Sequence, residues 1–310
     1  MKILITSSYF TDDQKQGVED HLRGLFKQLE NSIDLRSLEY FIVPDDFKQE
    51  VEEFQSLKGK NIGFTKNEHG TAMAKVIDYV TEKGFFSSVF VHYALIAGLY
   101  HSETAQFSLH TIHHELCHVH DNFIVYNSFG SKDLHECFKG VNKPADILSF
   151  TFAEIIWSEY IATRLSASSS HIDNDFRVGD LLSSVPLVYH NCRNAISEYY
   201  MDEDISKLNS VIQDETGTLA KLMGYFYGDL HGVIQSDDLP KELQQLIEDN
   251  QYLNGVFLDV GTELHILFKE YGDWVDHTVF QNLSNLQVRL WNQIGISYEN
   301  RNDELYLKVL

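Results

Sequence analysis

HTIHHELCHVHD, residues 110–121, decides how the rest of this 310-residue chain is read. Within it, His114-Glu115-Leu116-Cys117-His118 has the form H-E-x-x-H. Leu109, Ile112, Leu116 and Val119 recur at spacings of 3, 4 and 3, the pattern of a helix with one apolar stripe. On such a helix, residues four apart sit one turn apart on the same face. His114 and His118 can therefore aim both imidazoles at one metal ion. They lie roughly opposite the apolar stripe, so one side of the helix packs and the other lines a cleft. Glu115 is about 100° further round. From there its carboxylate reaches a water beside the metal without ligating the metal itself. Two imidazoles with an adjacent carboxylate suit Zn²⁺, which makes such a water acidic.

A site with two histidines needs a third protein ligand. A third histidine in the extended pattern H-E-x-x-H-x-x-G-x-x-H would require Gly at 121 and His at 124. The chain has Asp121 and Ile124, so this solution is rejected. A glutamate from a following helix is the remaining common one. Phe152-Ala-Glu-Ile-Ile-Trp-Ser-Glu-Tyr-Ile-Ala162 offers Glu154 and Glu159. On a helical wheel Glu159 falls among Phe152, Ile155, Ile156 and Ala162. A carboxylate on an apolar face is costly unless a partner compensates it, and a metal ion is such a partner. Glu159 is therefore favoured over Glu154. The competing reading is an ion pair with a basic residue such as Arg164.

The rest of the histidine cluster is less specific. His110, His113, Cys117 and His120 share another side of the helix and are candidates for a second metal site. Asp121 is a candidate to hold the free N–H of a ligand histidine, or else an exposed acid near the helix end. An oxyanion stabiliser is sought among Tyr160, Tyr189, His190, Tyr225, Tyr227 and His231, and the sequence does not choose between them.

Around this core, periodicity assigns a strand to residues 2–6, a helix to 12–30, a strand to 38–43 and a helix to 49–57. It assigns a helix to 71–81, ended by Gly84, and a strand region to 85–97. The motif helix is expected over 102–122, with Ser102 or Thr104 as its cap, followed by a less regular stretch to Ala145. Helices are expected at 146–167, 180–200, 204–226, 241–252, 260–271 and 275–294, then a closing strand at 305–309. The fold class is α+β: a small mixed sheet and an active-site helix, followed by a helix-rich C-terminal part. The division expected is a mixed region at 1–170 and a mainly helical one at 171–310.

H-E-L-C-H followed by a helix carrying Glu159-Tyr-Ile-Ala162 resembles the gluzincin branch of the zincin metallopeptidases. The organisation over residues 85–167 is similar to compact ImmA/IrrE-type zincins. In those proteins a strand lines the cleft before the H-E-x-x-H helix, here residues 88–97, and an E-x-x-A helix supplies the third ligand. The resemblance implies a zinc-dependent peptidase in which Glu115 is general base and acid. Cys117 departs from the pattern, because a small residue such as Gly is often found there. It lies about 60° from His114, on the side away from His118, and is expected to pack.

Composition bounds the partners. With 24 basic and 46 acidic residues the formal charge is -22, which repels nucleic acid and anionic membranes. An apolar fraction of 43% supports a sizeable core. Three cysteines, Cys117, Cys137 and Cys192, do not suit a disulfide scaffold. The expectation is a cytoplasmic enzyme acting on peptide or protein substrates, with Zn²⁺ held by His114, His118 and Glu159. Two alternatives stand beside it. One is a zinc protein that cleaves nothing, its shell closed by His110, His113 or Cys137. The other is an acidic partner-binding module whose H-E-x-x-H is accidental.

Overall fold

The computed structural model describes residues 1–60, 66–67, 70–130, 143–170, 174–234 and 239–310. The chain divides into two compact units, Met1–Tyr126 with Leu165–His171, and Asn127–Arg164 with Ile172–Leu310. The segment 144–164, which the sequence alone groups with the N-terminal region, is thus counted with the second unit.

The first unit is built on a four-stranded sheet. Strands β1 (Lys2–Ile5), β2 (Leu38–Val43), β5 (Ala74–Thr81) and β6 (Gly84–Val91) stand in the order β1-β2-β6-β5. Two short strands, β3 (Lys66–Asn67) and β4 (Gly70–Thr71), pair with each other. β1, β2 and β6 run parallel, and β5 pairs antiparallel with β6. Parallel neighbours need crossovers. Helix α1 (Asp12–Leu29) lies in the first connection and α2 (Phe47–Leu57) in the second. Thr11 and Gln14 form a capping box at the start of α1.

Alternate residues of a strand point to opposite faces, and β2 uses both. Phe41 meets Phe26 of α1, with ring centroids 5.0 Å apart. Its neighbour Ile42 joins Phe47 and Val51 of α2, with Ile77 and Phe90, in a buried cluster on the other face. The sheet is therefore covered on both sides.

Two expectations from periodicity are corrected here. Residues 74–81 form strand β5, not a helix. The run Val76-Ile-Asp-Tyr-Val-Thr81 is β-branched and aromatic, and it folds back on β6 through Glu82 and Lys83, with Gly84 at φ 122°. The apolar spacing fits a helix over so short a window, but pairing along eight register positions decides the outcome. The strand region at 85–97 also stops early. β6 ends at Val91, and His92 caps the short helix α3 (Tyr93–Gly98), its Nδ1 accepting from the Ala94 N–H.

Helix α4 (Ala105–Phe129) carries the motif and runs seven residues past the expected end at Asn122. The hydroxyl of Thr104 donates to the Gly98 carbonyl at 3.0 Å. Asn122 Nδ2 donates to Asp78 of β5 at 2.9 Å, and Tyr126 stacks on Phe85 of β6 at 4.8 Å. Both grips lie on the α1 side of the sheet, so α4 packs on that face.

The second unit is mainly helical. It contains α5 (Pro144–Ser166, up to Arg164), α6 (Asn174–Asp202), α7 (Ile205–Asp229), α8 (Lys241–Asp249), α9 (Val256–Lys269) and α10 (Gln281–Ile294). The closing strand is one arm of a hairpin, β7 (Ile296–Arg301) with β8 (Glu304–Val309). Asn302 and Asp303 take positive φ of 51° and 62° at its tip, as a tight twisted hairpin requires. Trp157, Trp291, Leu264 and Phe257 are fully buried in the core of this unit. Among the described residues no helix is long and apolar enough to cross a membrane.

Candidate metal centre

Helix α4 divides its faces as the stripe predicts. Ile112, Leu116 and Val119 are completely buried. His114, Glu115 and His118 are half-buried. The Nε2 atoms of His114 and His118 approach to 3.1 Å, with the rings at 85° to one another. A tetrahedral zinc with Zn–N distances of about 2.0–2.1 Å separates its ligand nitrogens by roughly 3.3 Å. The separation of 3.1 Å is that of a hydrogen bond between the rings and is close to the spacing of two corners of such a sphere.

The other residues of the cluster are engaged elsewhere. The Nδ1 atoms of His110 and His113 lie 3.2 and 2.9 Å from the hydroxyl of Ser169. Burial, with a smaller push from His114, lowers the pKa of His113 to about 4. His120 accepts the Asp34 backbone N–H at Nδ1, 2.8 Å away, and burial lowers its pKa too. Cys117 is completely buried, and burial pushes its thiol well up, aided by Asp121. It packs, as its wheel position predicts. Asp121 is itself buried and lies well inside α4, so the reading of an exposed acid at a helix end fails. Cys137 lies outside the described residues.

Glu154 and Glu159 are both half-buried on α5. Arg164 is not the partner of Glu159. Its guanidinium donates to the Tyr160 hydroxyl and lies 3.5 Å from the centroid of Phe268. His114 and His118 converge within the first unit, while Glu154 and Glu159 stand on α5 in the second. Among the described residues, His110, His113, Cys117 and His120 form no second cluster of metal ligands.

Within the second unit, α7 holds the backbone around Glu159. A Cβ at Gly224 would meet the Ile156 carbonyl at 2.7 Å and Glu159 Cβ at 2.8 Å. A Cβ at Gly228, one turn on, would meet Thr163 Cβ at 2.5 Å and the Tyr160 carbonyl at 2.8 Å. The spacing G-x-x-x-G lets the two helices touch backbone to backbone, and it is a signal the sequence reading passed over. We predict opposite signs for two substitutions on α7. Gly224→Ala forces α7 off α5 and costs about 1–3 kcal/mol, because the atoms it meets are backbone or directly attached. Gly217→Ala meets only Phe152 at 3.7 Å, an ordinary contact, and gains up to about 1 kcal/mol of helix propensity. Thermal or urea unfolding of the two variants reads both signs.

The oxyanion candidates differ in what they touch. Tyr227 donates to the Phe257 carbonyl at 2.8 Å, Tyr189 stacks on Tyr252, and Tyr225 lies under Arg177. His190 is bonded to Asn194. Tyr160 and His231 are bonded to each other at 3.0 Å, and the Tyr160 hydroxyl also accepts from Arg164, so contacts do not choose among the six.

Comparison with protein-family models gives no match, and comparison with curated proteins and with solved structures gives no significant one.

Proposed function

We propose that the protein is a zinc-dependent hydrolase, acting as a metallopeptidase, with His114, His118 and Glu159 as metal ligands and Glu115 as general base. One observation carries the reading: the Nε2 atoms of two half-buried histidines converge to 3.1 Å on a helix whose Ile112, Leu116 and Val119 are fully buried. Two imidazoles and a carboxylate are a catalytic zinc donor set, which leaves a position open for water or substrate. A zinc ion held by these residues would supply Lewis acidity towards a carbonyl and towards a water. Glu115 takes the proton of the attacking water and passes it to the leaving amine nitrogen. His114 and His118 would hold the ion through their Nε2 atoms. The charge of -22 favours neutral or basic peptide substrates over nucleic acid.

The test is metal content. Purified protein should carry one zinc per chain by elemental analysis. Stripping it with a chelator should lower the unfolding temperature, and zinc should restore it. A ligand present at 100 times its dissociation constant stabilises by about 2.7 kcal/mol. Protein without stoichiometric zinc, and indifferent to chelation, would return the acidic partner-binding module as the better account.

A further inference from the structure

A single 3-10 turn, Ala167–Ser169, follows α5 and belongs to the first unit. Ser169 is 8% exposed. Its hydroxyl donates to the Ser166 carbonyl at 2.8 Å. A hydroxyl has one proton and two lone pairs. With the proton on a carbonyl, which only accepts, the lone pairs receive N–H donors. The Nδ1 atoms of His113 and His110 stand at 2.9 and 3.2 Å, so both rings donate from Nδ1. The backbone carbonyl of Ser169 accepts from Nε2 of Gln106 as well. The three donors occupy positions 106, 110 and 113 of α4, spaced four and three, and so lie along one face of the helix.

Three grips along one face prevent a helix from rolling about its axis. His114 follows His113 directly, so the roll of α4 decides where His114 and His118 point. We infer that Ser169 is a positioning residue for the metal centre. It fixes the rings of His110 and His113, and through them the rotational setting of α4 that converges the two ligand imidazoles. Nothing in the H-E-x-x-H motif announces this partner, 51 residues beyond His118 in sequence. The inference rests on the zinc reading above.

The experiment uses the full-length chain with Zn²⁺ and Co²⁺ as probes. Ser169→Ala should weaken zinc binding at least about tenfold, as loss of an outer partner of a metal site does. It should also shift the visible absorption of the Co²⁺ protein, which reports ligand geometry. Ser169→Thr, which keeps the hydroxyl, should restore both. Leu243→Ala, a cavity in the buried face of α8, should lower stability and move neither. Should Ser169→Ala not fold, the wild type still decides: nitrogen-15 spectra of the metal-free protein should show His113 protonated at Nδ1. An Nε2-protonated His113 overturns the inference. So does a Ser169→Ala variant that binds both metals like the wild type. A wild type that takes up neither metal overturns the zinc reading and this inference together.

Discussion

Glu115→Gln is expected to keep one zinc per chain and to lose about 10²–10⁴-fold in kcat, the usual contribution of a positioned general base. The amide has the shape of the carboxylate and keeps an oxygen acceptor. It has no basicity with which to take a proton. Glu115 is half-buried on α4, beside His114 and off the face through which the imidazoles converge. The substitution therefore leaves the ligand nitrogens and the packed stripe of Ile112, Leu116 and Val119 untouched. Turnover is read on a quenched-fluorescence peptide library, with zinc content and unfolding temperature measured on the same preparation. A variant that retains zinc and wild-type turnover removes Glu115 from the chemistry. One that loses zinc makes it a ligand or a structural support instead.

How much of this was legible in the sequence follows from how local each signal is. The facing of α4 is set by residues within one helix, so the spacing of Leu109, Ile112, Leu116 and Val119 sufficed to place His114 and His118 on its open side. Strand β5 is a different case. Residues 74–81 are strand because β6 lies alongside them, and an eight-residue apolar pattern does not specify which period it serves. Strand β7 escaped for a related reason: Ile296–Arg301 is largely polar and is defined by its partner β8. Histidines 110, 113 and 120 look like metal ligands by composition. Ser169 and the Asp34 backbone take them up, and partners so distant in sequence leave no periodic trace. Gly224 and Gly228 did leave one, in their four-residue spacing.

Glu159→Gln should reduce zinc affinity by more than about 100-fold, since losing even an outer partner of a ligand costs 10–100-fold. Glu154→Gln, five residues earlier on α5, should change it little. The contrast is informative because both glutamates are half-buried on one helix, and loss of charge or of helix propensity is the same for each. Arg164 offers no ionic alternative, being held by the Tyr160 hydroxyl and the Phe268 ring. Removing a carboxylate that serves only packing would lower the unfolding temperature of metal-free and zinc-loaded protein equally. Removing a ligand should lower that of the loaded protein alone, because stabilisation by zinc scales with the logarithm of its affinity. Titration with a competing chromophoric chelator, alongside thermal unfolding with and without zinc, separates the two. If Glu154→Gln carries the loss and Glu159→Gln does not, the third ligand has been placed on the wrong face of α5.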